Sequence, residues 1–207
     1  MNKLIKFFSL PILSFITVVM AGAVNASPEI GAPAPDFSVV DTNGDSVSLS
    51  ELKGKTVVLE WTNHKCPYVV KHYDSGNMQA LQEEAAADEV VWVSVISSAK
   101  GKQGYVDADT ANQLSSDRNA SPSHVLLDST GEIGHLYAAR TTPHMFVIDA
   151  NGNLAYKGGI DSVPTADPAD IDGATNYVRA ALTEIKDGKA VSTPTSRPYG
   201  CSVKYSS

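Results

Sequence analysis

The sequence predicts a single α/β sandwich with a mixed central sheet and an added hairpin near the N-terminus. Apolar segments of strand length alternate with helical segments along the middle of the chain, which is typical of a parallel sheet. A later pair of strands around Asn151-Gly152 predicts an antiparallel edge. The Asn43-Gly44 step between two short alternating segments predicts the separate hairpin. A chain of 207 residues is long enough for one such domain with extensions.

The first half of the domain contains the hairpin, over residues 37–49, and a one-turn helix at 50–52. Residues 56–61 are almost continuously apolar, which predicts a strand buried on both faces. A helix is predicted over residues 67–87, because Pro67 suits its first position and apolar residues recur along one side. Gly76 interrupts this pattern and predicts a bend in that helix.

The second half of the domain continues the alternation. Residues 89–96 are predicted to form a second buried strand, and Asp107 caps a polar helix over residues 107–118. The remaining predicted elements are a strand at 125–128, a helix at 132–139, a strand at 142–149, its hairpin partner at 154–158, and an amphipathic helix at 171–186. An extended tail rich in Pro, Ser and Thr then carries the second cysteine, Cys201.

The N-terminal residues have the pattern of a secretory signal peptide. Lys3 and Lys6 precede an apolar run that Pro11 interrupts, and small residues lead to a cleavage site after Ala26. A retained membrane anchor is the alternative, since the run approaches the length that spans a bilayer, but Pro11 and the small residues favour cleavage. We therefore expect a periplasmic or secreted protein with no stable membrane insertion after cleavage. The expected segments are a signal peptide at 1–26, the domain at 27–188 and the tail at 189–207.

Composition and charge exclude several classes of protein. A hydrophobic content of 43% is too high for a disordered chain. The formal charge is −7, and loss of the two lysines of the signal peptide leaves 14 basic against 23 acidic side chains. This balance argues against a nucleic-acid partner, which needs clustered Lys and Arg. The two cysteines cannot form a disulfide scaffold, so they form one bridge or carry out chemistry.

Cys66 lies between a predicted buried strand and the helix that starts at Pro67. At such a position the unpaired backbone amides and the helix dipole lower the pKa of a thiol and raise its thiolate fraction. His64, Lys65, Lys71 and His72 add positive charge nearby in the sequence. These features favour a reactive thiol over the alternative, a small buried residue without chemistry. A second feature, the Thr142-Pro143 step before a strand, fits a cis peptide bond, with an ordinary trans proline as the alternative.

Several motifs occur in order along the chain. They are Gly31-x-Pro33-Ala34-Pro35-Asp36-Phe37 with Asp41-x-x-Gly44, the strand ending in Trp61, Cys66-Pro67, and Thr142-Pro143 before Phe146-Val147-Ile148-Asp149-x-x-Gly152. They resemble the thioredoxin-fold redoxins of the alkyl hydroperoxide reductase/thiol-specific antioxidant superfamily. Two further motifs resemble the peroxiredoxin-like subgroup of that superfamily: Asn63-His64-x-Cys66-Pro67-Tyr68-Val69 and Gly200-Cys201-Ser202-Val203-Lys204-Tyr205. The resemblance covers almost all of residues 30–205 and implies a thioredoxin-like three-layer sandwich.

The sequence departs from the family patterns at three positions. Typical peroxiredoxins have Pro seven residues and Thr three residues before the reactive cysteine, where this chain has Leu59 and Asn63. A thioredoxin has its second cysteine three residues after the first, where this chain has Val69. Cys201 is therefore the internal candidate to resolve Cys66. Whether it does so, stays a free thiol or pairs between chains is left open by the spacing.

The resemblance implies an exported thiol-disulfide oxidoreductase or thiol-dependent antioxidant that acts through Cys66. A cis Pro143 then lies beside Cys66, and the backbone at Thr142 pairs with the substrate chain. The side chains expected on the same face are those of Trp61, His64 and Tyr68. The substrate is a thiol, a disulfide or a hydroperoxide, the electron donor is not identified, and we expect no cofactor.

Two other functions remain alternatives. The first is a non-catalytic binding module in which Cys66 and Cys201 form a permanent disulfide. The second is a carrier of Cu(I) or Zn(II), soft or borderline ions that suit Cys and His ligands. The histidines that would join Cys66 in such a carrier are His64, His72 and His144.

Overall fold

A computed structural model describes residues 27–206 of the chain. The predicted signal peptide lies outside the described residues. Within the described range, none of the helices combines the length and the apolar character needed to span a bilayer.

The described residues alternate between strands and helices in the predicted order. The strands are β1 (Ser38–Val40), β2 (Ser46–Ser48), β3 (Val57–Trp61), β4 (Val91–Ile96), β5 (His124–Leu127), β6 (Thr141–Thr142), β7 (His144–Ile148), β8 (Leu154–Gly158) and β9 (Cys201–Ser202). The α-helices are α1 (Pro67–Asp74), α2 (Asn77–Ala87), α3 (Ala108–Asp117), α4 (Glu132–Leu136) and α5 (Tyr177–Lys186). Short 3₁₀ turns lie at Leu49–Leu52 and Pro168–Asp170.

Five strands form the central sheet in the spatial order β5-β4-β3-β7-β8. Strands β3, β4 and β5 are parallel, β7 runs antiparallel to β3, and β8 runs antiparallel to β7. This arrangement confirms the predicted mixed sheet with an antiparallel edge. Within residues 27–206, strands β1 and β2 pair only with each other and form the predicted N-terminal hairpin.

The two faces of the sheet bury separate cores, because successive side chains of a strand point to opposite faces. Leu59 and Trp61 of β3 pack on the face that the β1–β2 hairpin and α4 cover. Val58 packs on the other face, beneath α1, α2 and α5. The structure thus has the three layers expected of a thioredoxin-like fold.

The helix predicted over residues 67–87 is two helices, α1 and α2. Gly76 lies between them with φ at 76°, a left-handed conformation that ends one helix and that glycine adopts at low cost. The sequence predicted a bend at this residue, whereas the structure has a complete break. The break leaves α1 as a short helix whose N-terminus is Cys66.

The last helix is shorter than predicted. It starts at Tyr177 rather than at residue 171, because the Asn176 side chain accepts a hydrogen bond from the Arg179 amide at 2.9 Å and caps the helix there. Asp107 caps α3 as predicted, accepting from the Thr110 amide at 2.9 Å.

The strand predicted over residues 142–149 is divided into β6 and β7. The Thr142–Pro143 peptide bond between them is cis, which confirms the cis alternative. Strand β6 lies outside the central sheet and pairs with β9 from the C-terminal tail. The segment predicted as an extended tail is therefore docked on the domain and reaches the start of α1.

Candidate active site

Cys66 is the N-cap residue of α1, directly after the loop that follows β3. Its carbonyl oxygen accepts the amides of Val69 and Val70, both at 2.9 Å, and Pro67 occupies the first helical position. The β3 strand and the helix start thus hold the thiol at the N-terminal end of α1, as the sequence predicts.

The Cys66 sulfur has polar partners on two sides. The thiol lies 3.0 Å from the Thr142 carbonyl oxygen, to which it donates, and the Cys201 amide donates to Sγ at 3.4 Å. Pro143, on the far side of the cis bond, is buried. The Cys66 side chain is 0% exposed, so these partners and the tail shield it completely.

The pKa values of the two thiols are displaced in opposite directions. Burial raises the pKa of the Cys66 thiol, but hydrogen bonds with the side chains of Cys201 and Thr142 and with the amides of Cys201 and Val69 together lower it more. Burial also raises the pKa of Cys201, and the hydrogen bond and charge of Cys66 bring it to about 11. Cys66 is therefore the more acidic thiol of the pair. Both cysteines are free thiols in the structure.

The tail approaches Cys66 as a strand. β9 pairs antiparallel with β6, so that Cys201 faces Thr142 in register. Gly200 lies so close to the Thr142 carbonyl group that a Cβ there would overlap it. Beyond β9, the Val203 amide donates to the Arg140 carbonyl oxygen at 3.0 Å.

A buried polar cluster anchors the part of the tail that precedes β9. The Tyr199 hydroxyl donates to Asp161 Oδ1 at 2.6 Å and lies 3.3 Å from His72 Nε2. The Lys71 ammonium, fully buried, lies 3.8 Å from Asp161 Oδ2 and donates to two backbone carbonyl groups. Burial lowers the pKa of His72 to about 4, with Lys71 adding to the effect and Asp161 opposing it. The sequence did not reveal this cluster as a unit; its local signal is the adjacent pair Lys71 and His72, both buried within α1.

The loop before Cys66 is held by Asn63, which is 1% exposed. Its side-chain oxygen accepts the Lys65 amide at 3.0 Å, and its side-chain nitrogen donates to the Gln103 carbonyl oxygen at 3.3 Å. The Cys66 amide in turn donates to the Asn63 carbonyl oxygen at 3.0 Å. Asn63 therefore fixes the loop, and its amide group is occupied.

Of the predicted lining residues, Tyr68 in the first turn of α1 and His64 in the loop before it are partly exposed. The Tyr68 ring packs edge-on against the Tyr199 ring, with centroids 5.9 Å apart. His64 is half-buried, and burial, followed by the charges of Arg118 and Lys65, lowers its pKa.

The placement of Trp61 corrects our expectation. Its ring is fully buried in the core beneath α4, against Tyr137 and Phe146, and its indole nitrogen donates to Ser97 at 3.0 Å. Alternation along β3 turns Trp61 to the sheet face opposite α1, so it does not line the surface near Cys66.

Two of the three histidines considered as metal ligands, His72 and His144, have other hydrogen-bond partners. His72 has partners on both ring nitrogens, Asn77 at 2.8 Å on Nδ1 and Tyr199 on Nε2. His144 Nδ1 accepts the Arg140 amide at 3.3 Å, and burial lowers the pKa of His144 to about 3. Among residues 27–206, no three His, Cys, Asp or Glu side chains come together as a metal site would require.

A thiol at a helix start beside a cis proline, on a thioredoxin-like sheet, defines the class of thioredoxin-like thiol redox proteins. Comparison with sequence families agrees: the Redoxin family matches residues 29–174, which is more than half of the chain. This chain belongs to the Redoxin family.

Individual relatives point the same way. The chain is 27% identical over 136 residues to the thiol-disulfide oxidoreductase ResA of Bacillus subtilis, an alignment that covers 66% of this chain and 69% of ResA. Among solved structures, a putative thiol:disulfide interchange protein DsbE from Chlorobium tepidum is 26% identical, with a TM-score of 0.52, over 63% of this chain and 85% of that one. A hypothetical protein from Sinorhizobium meliloti 1021 matches with a TM-score of 0.73 at 21% identity, over 88% of this chain and 97% of the other, which shows the fold. These homologues support a thiol redox enzyme.

Proposed function

We propose that this chain is an exported thiol-disulfide oxidoreductase in which Cys66 attacks a substrate disulfide and Cys201 resolves the product. The observation that carries the proposal is the arrangement of two free thiols at one helix start, with the Cys201 amide 3.4 Å from Cys66 Sγ. The opposite displacement of their pKa values supports distinct roles, because the thiolate is the attacking species.

In the first step, the Cys66 thiolate attacks one sulfur of the substrate disulfide. A bond forms between Cys66 Sγ and that sulfur, the substrate S–S bond breaks, and the other sulfur leaves as a thiolate. The amides at the start of α1 and of Cys201 stabilise the charge on Cys66 before attack.

In the second step, Cys201 loses its proton to solvent and attacks Cys66 Sγ in the mixed disulfide. The Cys66–Cys201 bond forms, the bond to the substrate breaks, and the substrate leaves as a second thiolate. The substrate disulfide has then gained two electrons and the protein dithiol has lost two. An external dithiol reductant restores the protein by the reverse exchange.

The remaining predicted site residues receive positioning roles. The backbone of Thr142, next to cis Pro143, offers hydrogen bonds to the substrate chain, as the thioredoxin fold implies. Tyr68 and His64 are partly exposed beside the site and contact the part of the substrate that extends past the helix start.

The substrate that the site supports best is a disulfide rather than a hydroperoxide. Asn63 stands where typical peroxiredoxins carry a peroxide-binding Thr, and both ends of its side-chain amide are hydrogen-bonded to backbone groups, at Lys65 and Gln103. The similarity to a thiol-disulfide oxidoreductase supports the same choice. A peroxiredoxin-like antioxidant role is the second outcome that the experiment below distinguishes.

We place the enzyme in the periplasm or outside the cell. The pattern of residues 1–26 supports a cleaved signal peptide, followed by the domain at 27–188 and the Cys201 tail at 189–207. Such a compartment lets a Cys66–Cys201 disulfide persist until a reductant arrives.

The experiment uses the reduced mature chain and 5,5′-dithiobis(2-nitrobenzoate), a disulfide whose thiolate is coloured. The wild-type protein should release both coloured thiolates and end with no adduct. Cys201→Ser should release one and keep the other on Cys66, and Cys66→Ser should react only slowly. The matched pair of serine variants separates attack from resolution.

Equal, slow release from wild type and Cys66→Ser would sink the proposal. A Cys66–Cys201 bridge that resists mild reductant assigns the non-catalytic module instead. Copper or zinc that survives gel filtration and is lost in His64→Ala assigns the carrier. A sulfenic acid on Cys66, trapped with dimedone after hydrogen peroxide and formed faster than the disulfide adduct, assigns the peroxidase.

A further inference from the structure

The edge of β6 has room for one partner strand, and the tail of this chain occupies it. Within the described residues, β6 pairs with β9 alone, in a sheet of two strands. That pairing sets Cys201 opposite Thr142 and points its amide at Cys66 Sγ. Any other strand that brings a sulfur to Cys66 through hydrogen bonds to β6 has to take the place of β9.

We propose that a cysteine-bearing substrate strand and the segment 201–205 of this chain, here called the tail segment, compete for β6, and that their exchange couples resolution to product release. This inference rests on the proposed function and adds the regulation of the same site. The substrate class that it implies is an extended peptide carrying its cysteine in the position of Cys201.

In the closed state, in which the tail segment is docked on β6, such a substrate has no route to Cys66. Cys66 is 0% exposed, and the tail covers it. The tail segment itself is only partly buried, and Ser202 is exposed, so one of its sides faces solvent. Departure of this segment uncovers Cys66 and frees the hydrogen-bonding groups of β6 in one movement.

The residues before the tail segment provide an anchor and a hinge. Tyr199 is 9% exposed and bonded to Asp161, so it stays with the domain core. Gly200 follows at once with φ at 125°, a conformation open to glycine and rarely adopted by other residues. Rotation at Gly200 moves Cys201 while Tyr199 remains in place.

The contacts of the tail segment after Cys201 are few enough to break and re-form. The Val203 amide donates to Arg140, and the Lys204 carbonyl oxygen accepts the Ala99 amide at 2.8 Å. The Tyr205 ring stacks on His135 with centroids 4.1 Å apart, and its hydroxyl donates to Ala139 at 2.8 Å. Val203 also packs against the core that contains Ala139, but the tail segment itself is only partly buried.

Resolution of the mixed disulfide then accompanies the exchange of strands on β6. While the substrate strand occupies β6, its sulfur is bonded to Cys66 and Cys201 is held away. When the tail segment returns, Cys201 attacks Cys66 Sγ, the substrate leaves as a thiolate, and β9 replaces the substrate strand on β6. The bond that forms between the two cysteines fixes the tail, so the released peptide does not rebind until a dithiol reductant opens that bond.

The test captures a strand on Cys66 and follows the tail by amide hydrogen exchange. Cys201→Ser is reacted with a synthetic peptide Tyr-Gly-Cys-Ser-Val, activated as its mixed disulfide with nitrothiobenzoate. We expect exchange in the tail segment to rise by about tenfold or more, the factor that loss of one hydrogen bond of ordinary net strength produces. The control adduct carries 2-mercaptoethanol, which has no peptide backbone. In this adduct the tail segment should be more protected from amide exchange than in the peptide adduct.

An adduct with the peptide and unchanged exchange in the tail segment would overturn the inference and leave the proposed function standing. Equal rises for both adducts would overturn it too, because crowding at Cys66 would then open the tail without strand pairing. Failure of Cys66 to form any adduct would overturn the proposed function and this inference with it.

A second variant tests the closed state. In Gly200→Ala, the added Cβ meets the Thr142 carbonyl group and the Pro143 ring, which should undock the tail segment. On a Cys201→Ser background, we expect Cys66 to react with iodoacetamide about tenfold faster, again the effect of about one lost hydrogen bond. Gly188→Ala is the matched control, since Gly188 also has a positive φ but has open space around its Cβ position. Equal rates in the two variants contradict the gating role of the tail.

Discussion

Oxidation of the two cysteines to a disulfide should stabilise the protein strongly. The residues are 135 positions apart, and the reduced protein already docks Cys201 against Cys66, so closure costs little in the folded state. The main effect then falls on the unfolded chain, whose entropy decreases. The loop-closure relation gives about 5 kcal/mol for a loop of this size. For a domain of this length, that corresponds to a rise in Tm of roughly 10–20 °C.

Thermal unfolding of fully oxidised and fully reduced protein, followed by circular dichroism, measures the difference. Thiol titration before each scan establishes the redox state, and Cys201→Ser, whose Tm should not respond to reductant, is the control. A fully oxidised sample whose Tm equals that of the reduced protein would refute the reasoning, because it requires that the bond strains the closed tail.

Three further outcomes follow from the buried polar groups. Glu60→Gln should lower the free energy of unfolding by about 2 kcal/mol in urea titrations, because Glu60 accepts hydrogen bonds from Trp92, Ser94 and Tyr73 in the core. The control Glu84→Gln removes one charge of an exposed ion pair and should lower it by less than about 1 kcal/mol. Because the pKa of His72 falls from 6.5 to about 4 on folding, the unfolded chain binds more protons between these values. The contribution of His72 to the free energy of unfolding is complete above pH 6.5 and should decline on acidification by at most about 1.4 kcal/mol per pH unit. In His72→Gln, the free energy of unfolding should depend less steeply on pH over this range. Cys201→Ala should raise the pKa of Cys66, seen as a shift to higher pH in the ultraviolet titration of the thiolate, because the hydrogen bond with the Cys201 side chain is lost. An unchanged titration would exclude that side chain as a hydrogen-bond partner.

Local sequence signals predicted the sheet and the helix start well. The near-continuous apolar segment that ends at Trp61 fixes a buried strand, and Pro67 marks the first residue of a helix, so the position of Cys66 follows from neighbours in sequence. The hairpin turns at Asn43-Gly44 and Asn151-Gly152 are equally local. Where the chemistry of two or three adjacent residues decides the structure, the sequence was sufficient.

Long-range contacts decided the features that the sequence did not reveal. The pairing of β6 with β9 joins Thr142 to Cys201, 59 positions later, and includes a glycine that closely approaches the opposite backbone, and no periodicity encodes either. The orientation of Trp61 follows from which sheet face α1 covers, a property of the assembled layers. Lys71 and Tyr199 lie far apart in sequence and belong together only once the tail is docked on Asp161.

The docking of the tail also has a consequence for how the protein is made. Ribosomes build chains from the N-terminus, so Cys66 is synthesised 135 residues before Cys201. At bacterial or eukaryotic elongation rates this interval lasts on the order of ten seconds. Throughout it, the nascent chain carries the Cys66 thiol without its cover. The Cys66 thiol is thus accessible during this interval and becomes shielded only when residues 201–205 have been made and docked on β6.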